Sequence, residues 1–293
     1  MGNFNCCIFP VPKYNKMLAQ LAYNNKKLIF IPKKQQNNSK IIDYIPCVFM
    51  PSELGRFSSN FLLFFHGNAE DIFLASTMAE PLRLKLNINV IIMEYPSYSI
   101  YSYQKIDTNI LLENTLIVYD SIKEYFNVND ENIFIYGRSI GSSPAIYVAG
   151  KRKPKALILI SSFKSLKSIV YHKICCLNCL LKERFRSIDF IKGVSCPIIM
   201  IHGKADPLIK WTETLDLKND CESRGIYVES NFPENMTHND FNYKEDILEP
   251  IYNFLINNKL LDIENVGKCE NYDESIFKIP NETIKKAIYS QSE

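Results

Sequence analysis

The chain predicts an α/β fold with a mostly parallel central sheet flanked by helices, and three observations carry that expectation. Short apolar runs alternate with longer segments of helical spacing. Several runs are apolar at nearly every position, as strands buried on both faces are. The third observation is local. Ile133-Phe134-Ile135-Tyr136 runs directly into Gly137-Arg138-Ser139-Ile140-Gly141, and a helix-compatible stretch from Ser142 to Gly150 follows.

The strand candidates are Ile29–Ile31, Phe61–Phe65, Val90–Tyr95, Ile133–Tyr136, Ala156–Ile160, Pro197–Ile201 and Ile226–Phe232. Between them, helices are expected near 72–87, 107–126, 140–151, 211–224 and 243–257. The helix at 107–126 sets Ile110, Leu111, Asn114, Ile117, Val118 and Ile122 near one face, an amphipathic stripe. No internal repeat is visible. Two segments break the rhythm. Residues 163–192 hold Cys175, Cys176 and Cys179 amid Leu, Lys and Arg, too long for a simple loop. Residues 259–293 are polar without a strong period and read as a C-terminal extension. The expected organisation is a leading segment at 1–17, one folded domain at 18–258 and that extension.

With 293 residues, 46% of them hydrophobic, the chain can bury a sizeable core. A net charge of +2 and no basic stripe with interleaved aromatics speak against nucleic-acid binding. No run approaches the roughly 18 apolar residues that span a bilayer. The start, Met1-Gly2-Asn3-Phe4-Asn5-Cys6-Cys7, has neither the charged region nor the apolar run of a secretory signal. The nine cysteines are therefore expected to be mostly reduced, and an odd count suggests no disulfide framework. The abundance of Asn, Lys and Ile reads as composition bias and carries no function.

Gly-x-Ser-x-Gly between a buried-type strand and a helix is the context of a nucleophile elbow. The bland alternative is an ordinary strand–helix turn. Gly137 and Gly141 let the two backbones approach closely, so that Ser139 stands out on a strained bend. A serine hydroxyl needs an adjacent base, and the base needs an orienting carboxylate. On this architecture the order along the chain is Ser, Asp/Glu, His. Of the four histidines, His66, His172 and His202 lie upstream of the last strand, and only His238 follows it. The acid candidate is Asp206, just past the strand at 197–201, where loops converge on a site. Read alone, His238 is an exposed loop histidine and Asp206 an Asp-Pro turn; with the elbow, in this order, they make a triad. An oxyanion then needs fixed N–H donors. Ile140, the residue after the nucleophile, offers one, and Asn68, in the loop after the strand at 61–65, offers the other. This chemistry calls for no cofactor and no metal.

The segments His66-Gly67-Asn68-Ala69-Glu70-Asp71, Gly137-Arg138-Ser139-Ile140-Gly141, His202-Gly203-Lys204-Ala205-Asp206 and His238-Asn239-Asp240 resemble α/β-hydrolases of the Bem-type branch. Within it, the chain is similar to the membrane-anchored protein depalmitoylases over roughly residues 18–258. The resemblance implies the α/β-hydrolase fold with a small lid insert at about 163–192. It also implies a serine hydrolase that cleaves S-acyl thioesters from membrane-bound proteins on the cytosolic face. The family's loop after the fourth strand usually reads Asp-Tyr-x-Gly-Tyr-Gly; here it is Glu94-Tyr95-Pro96-Ser97-Tyr98-Ser99, with serines for both glycines. Positions that need φ > 0 are then strained. Thr237 likewise stands where Gly usually precedes the histidine.

Gly2 after Met1 is where N-myristoylation acts, although Cys6 stands where the motif has Ser or Thr. Cys6 and Cys7 are placed for S-acylation, a second signal that stable anchoring requires. Lys13, Lys16, Lys26, Lys27, Lys33 and Lys34 would add attraction to anionic lipid. The alternative is an unmodified terminus with a solvated lysine set. The expected location is the cytosolic face of a membrane, the plasma membrane first. In the insert, the tight spacing of His172, Cys175, Cys176 and Cys179 makes a zinc tetrahedron awkward, so a lid helix with buried cysteines is preferred, and the other alternative is a membrane-contacting lid with Lys173, Lys182, Arg184 and Arg186 at the headgroups. Two other functions stay open: a lipid esterase or lysophospholipase with the same triad acting on an acyl-ester lipid, and a non-catalytic membrane adaptor that keeps the fold.

Overall fold

The structure, a computed structural model, describes residues 15–25, 27–35, 40–52, 58–105, 107–171, 185–263 and 273–289. The expectations for Gly2, Cys6, Cys7, His172, Cys175, Cys176 and Cys179 lie outside them. The chain divides into two units, Met1–Asn129 with Gly267–Glu293, and Asp130–Val266.

In the first unit, helix α1 (Lys16–Asn24) precedes strands β1 (Leu28–Lys34), β2 (Ile41–Met50) and β3 (Phe61–Phe65). Helix α2 (Ile72–Leu86), strand β4 (Asn89–Met93) and helix α3 (Thr108–Phe126) follow. The strand order is β1-β2-β4-β3. β1 pairs antiparallel with β2 and β2 antiparallel with β4, while β3 runs parallel to β4. β2 is the strand that the sequence reading lacks. All five residues of β3 and of β4 are buried, as their unbroken apolar runs predict.

Both long helices of this unit are delimited by their caps. The Asp71 carboxylate accepts from Phe73 N–H and Leu74 N–H, and Asp107 does the same for Asn109 and Ile110. Asn87 and Asn127 end them in the left-handed conformation, φ 48° and 49°, the C-terminal role that glycine more often fills. On α3, Leu111, Asn114, Val118 and Ile122 are buried as the stripe predicts, and each apolar member contributes about 1.5–3 kcal/mol. Asn114 is not idle there: it accepts from Lys33 Nζ at 3.1 Å and donates to the Tyr101 hydroxyl at 3.2 Å. Lys33 is thereby buried and paired with Glu113 at 2.7 Å, so it drops out of the lysine set expected to face lipid.

Much of the polar C-terminal stretch is folded. Glu282–Tyr289 forms a short helix with Ile284 and Ile288 buried. Gln20 Nε2 of α1 donates to Ile288 O at 3.1 Å, and the Tyr23 and Tyr289 rings meet edge to face at 6.1 Å.

The second unit is regular βα alternation. It runs β5 (Ile133–Arg138), α4 (Ser142–Lys151), β6 (Ala156–Ile160), the short helices α5 (Leu166–Tyr171) and α6 (Ser187–Phe190), then β7 (Ile198–Ile201). Helix α7 (Trp211–Ser223), strand β8 (Val228–Asn231) and helix α8 (Glu249–Asn257) complete it. The strands are parallel in the order β5-β6-β7-β8. The expected helix at 243–257 opens with a π-helical stretch at Tyr243–Leu248 before α8 begins. Parallel strands joined by helices place the loops after β5, β7 and β8 at the same carboxyl end of this unit. Cys47, Cys196 and Cys221 are free and buried, and burial pushes the Cys196 thiol up to about 12 and the Cys221 thiol to about 11. Among the described residues no helix is long and apolar enough to cross a membrane, and no group of three or more His, Cys, Asp or Glu could hold a metal.

Candidate active site

β5 ends at Arg138, and the chain turns through Ser139–Gly141 into α4. Ser139 sits at φ 53°, a left-handed conformation that costs an L-residue roughly 1–2 kcal/mol. The turn is held by the Ser142 hydroxyl, which donates to Ser139 O at 2.7 Å. Gly137 is required for steric reasons. A Cβ there would lie 2.5 Å from Gly141 O and 2.6 Å from the Ala145 Cβ. Gly141 itself has an ordinary helical φ of −68°, so its contribution is the close approach of its carbonyl to Gly137.

Asp206 follows β7 in a tight loop. One carboxylate oxygen accepts from Leu208 N–H at 2.8 Å and Ile209 N–H at 2.9 Å, which pins the side chain against its own turn. Pro207 between them has no N–H to offer. A Cβ on Gly203 would collide with Met236 O, so only glycine lets the loop after β7 lie against the loop after β8. That close approach brings Asp206 and His238 together.

The three side chains named from chain order meet. His238 Nε2 lies 3.0 Å from Ser139 Oγ, and His238 Nδ1 lies 2.7 Å from the second carboxylate oxygen of Asp206. All three residues are buried. Burial alone would raise the Asp206 pKa, but hydrogen bonds from His202 and His238, and the charge of His238, outweigh it and hold the carboxyl well below its usual range. Asp206 is thus a carboxylate, and it fixes His238 with Nδ1 protonated and Nε2 open toward the serine.

Two residues passed over by sequence reasoning join this cluster. Arg138, inside the elbow, donates from Nη2 to His238 O at 2.8 Å and to Asn239 Oδ1 at 3.0 Å, so the nucleophile's neighbour grips the base's loop. His202, excluded as the base by its place in the chain, lies with Nε2 3.2 Å from the same Asp206 oxygen that His238 uses. The available signal was its position four residues before the acid. Thr237, where glycine is usual, has no positive φ and so carries no left-handed strain. Its N–H donates to Asp240 O and its hydroxyl accepts from Asp240 N–H, both at 2.9 Å, closing a turn beside the histidine.

Ile140 belongs to this second unit and Asn68 to the first. The Asn68 side-chain oxygen accepts from the Tyr98 hydroxyl at 2.8 Å. Beneath it, His66 Nδ1 faces Gly67 O at 2.9 Å and Nε2 faces the Glu94 carboxylate at 3.3 Å, with both side chains fully buried. Burial works against charge on His66, yet the bonded Glu94 carboxylate prevails and raises its pKa. The strain expected at the two serines is present: Ser97 and Ser99 have φ 75° and 41°.

No family model matches the chain. Over 275 residues, 85% of this chain and 81% of the relative, it is 26% identical to the alpha/beta hydrolase domain-containing protein aho-3 of Caenorhabditis elegans. It is 29% identical to the human alpha/beta hydrolase domain-containing protein 17C over 194 residues, 66% of this chain and 57% of that one. Among solved structures, Francisella virulence factor BioJ aligns over 83% of this chain and 91% of its own, with a TM-score of 0.56 and 20% identity. Est1E from Butyrivibrio proteoclasticus aligns over 79% and 98%, with a TM-score of 0.57 and 14% identity. The chain is a hydrolase of the α/β-hydrolase superfamily, with that fold's mostly parallel sheet and flanking helices.

Proposed function

We propose that the protein is a serine hydrolase acting on acyl groups, and that its substrates are S-acylated proteins at the cytosolic face of a membrane. One observation carries the catalytic half: the unbroken hydrogen-bonded chain from Ser139 through His238 to Asp206. Ser139 Oγ attacks the acyl carbonyl while His238 Nε2 takes its proton. Asp206 stabilises the imidazolium that results. The Ile140 N–H supports the oxyanion, and Asn68 is the second donor that the sequence calls for. The tetrahedral intermediate collapses, and His238 returns the proton to the leaving thiolate. Water, deprotonated by His238, then releases the acyl group from Ser139. No cofactor takes part in any of these steps.

The substrate half rests on the resemblance to protein depalmitoylases and on the proposed acylation of Gly2, Cys6 and Cys7, which would hold the enzyme where acylated proteins reside. Anchoring needs two such signals, because one myristoyl chain binds membranes with K of only about 10⁴ M⁻¹. Ser139→Ala is expected to abolish labelling by a fluorophosphonate probe while leaving the fold intact; undiminished labelling removes Ser139 as nucleophile. Side-by-side turnover of a palmitoylated peptide and a lysophospholipid decides between thioester and lipid ester. Fractionation after replacing Gly2, Cys6 and Cys7 together tests the anchor, which fails if the triple variant stays fully membrane-bound.

A further inference from the structure

We propose that Arg138 is a positioning residue for the base of this site: its guanidinium holds the main chain of His238 at the place from which the imidazole reaches Ser139. The inference rests on the serine-hydrolase reading above and adds a residue to it.

Two adjacent residues of the elbow grip the two ends of one histidine. Ser139 Oγ lies 3.0 Å from His238 Nε2, and Arg138 Nη2 donates to His238 O at 2.8 Å. The same Nη2 donates to Asn239 Oδ1 at 3.0 Å. The guanidinium carbon stands 5.8 Å from the centre of the Phe241 ring, within cation–π reach. A guanidinium is always charged, so both hydrogen bonds are charge-assisted. Arg138 and His238 are buried, where such bonds are stronger than in water. A ring closes through these contacts. It passes along the backbone from Arg138 to Ser139, across to the imidazole, through His238 to its carbonyl, and back along the arginine side chain.

The loop that carries the base needs this support. β8 is half-buried at each of its four positions, and from Phe232 to Asn242 the chain buries Met236 and His238 alone. The contact of Gly203 with Met236 and the bond from Lys204 N–H to Pro233 O at 2.9 Å come from the loop after β7. Arg138 reaches the loop from β5, at the other end of this unit's strand order. Asp206 holds His238 Nδ1 at 2.7 Å, a single point about which the ring can still pivot. Holding His238 O as well fixes where Nε2 lies relative to Ser139 Oγ. Without the guanidinium the imidazole keeps its acid and drifts from its nucleophile. His238 serves both acylation and deacylation, so kcat reads its placement whichever of the two is slower. Arg138 makes these bonds to protein atoms, so its loss acts on the chemical steps and leaves substrate binding in place.

The test combines Arg138→Met, which keeps an unbranched side chain without donors or charge, with Asn239→Ala at an exposed position, singly and together. The readouts are kcat and KM separately for an acyl thioester, with thermal melting to establish folding. Arg138→Met is expected to lower kcat about 10²-fold, the order that a 1 Å misplacement costs, with KM within about threefold of wild type. Asn239→Ala, which removes one of the two acceptors, should lower kcat about threefold in the wild type and leave it unchanged in the Arg138→Met background, where that bond is already gone. A folded Arg138→Met protein with wild-type kcat overturns the proposal, as does a loss confined to KM or a double variant in which the two effects add. Should Arg138→Met not fold, Asn239→Ala alone decides, and an undiminished kcat overturns the proposal equally. Full turnover by Ser139→Ala would instead sink the serine-hydrolase reading, while its normal loss beside an unchanged kcat in Arg138→Met sinks only the role of Arg138.

Discussion

Asp206→Asn offers the sharpest test of the proposed chemistry, because the structure dictates how the new amide must sit. The oxygen facing Leu208 N–H and Ile209 N–H, at 2.8 and 2.9 Å, has to remain an oxygen, since an NH₂ there would meet two donors. The NH₂ therefore takes the place of the oxygen that now accepts from His238 Nδ1 at 2.7 Å. An amide N–H pointing at Nδ1 makes that nitrogen an acceptor and moves the ring proton to Nε2, which then faces Ser139 Oγ as a donor. The imidazole can no longer take the serine's proton. The same exchange in another triad with correct geometry and wrong tautomer lowers kcat about 10⁴-fold, which at 1.36 kcal/mol per tenfold is about 5.5 kcal/mol of barrier.

The substitution also replaces the charge-assisted buried bond to His238 with a neutral one, at a cost of about 1 kcal/mol of stability. The wild-type contribution of Asp206 has a definite pH dependence. Its folded-state pKa lies below its unfolded value near 3.9, so the stability it supplies is complete above that value and is lost as pH falls toward the folded pKa. Steady-state turnover of an acyl thioester, with urea melts of both proteins, measures both effects. A variant within tenfold of wild-type kcat/KM, folded and free of wild-type contamination, would refute the tautomer argument and with it the role given to Asp206.

Three further outcomes follow from single residues. Ser99→Gly should raise stability by about 1–2 kcal/mol, since it relieves a left-handed φ of 41° and removes a buried hydroxyl with no hydrogen-bond partner among the described residues; a urea midpoint that does not rise contradicts this. Gly137→Ala should destabilise the protein by at least about 1–3 kcal/mol and remove fluorophosphonate labelling, because the new methyl lies 2.5 Å from Gly141 O and the elbow must open to admit it. His66 should contribute stability that is complete below the ordinary histidine pKa and is lost as pH rises through its raised folded value; an NMR titration of His66 centred below the pH of free histidine denies it.

What the sequence makes legible depends on how many faces a segment buries. β3, β4, β5 and β6 are apolar from end to end because both faces are covered, and their limits fall within about a residue or two of the apolar runs. β2 is hidden for a different reason. Its first residues, Ile41 to Tyr44, are exposed or half-buried, and Asp43 and Pro46 interrupt the apolar run although Ile45 to Met50 are buried. The short helices at Lys16–Asn24 and Glu282–Tyr289 each bury too little to show a period alone; they pack against each other across nearly the whole length of the chain.

The site divides along the same line. Ser139, Asp206 and His238 are readable because each lies in the turn or loop that follows a strand of known rank, and rank along the chain becomes position at one end of the parallel strands. Nothing in rank distinguishes His202, which also ends β7. Its contact with Asp206 exists because the turn through Pro207 bends the carboxylate back onto Leu208 and Ile209 N–H, leaving the outer oxygen within reach of a residue four positions earlier. A motif spells out which side chains share a loop mouth, while the hydrogen bonds of the turn decide which atoms of those side chains meet. In this protein that second step brings a histidine without a place in the triad's order to 3.2 Å from its acid, while its own Nε2–H is taken by Ile209 O at 3.0 Å.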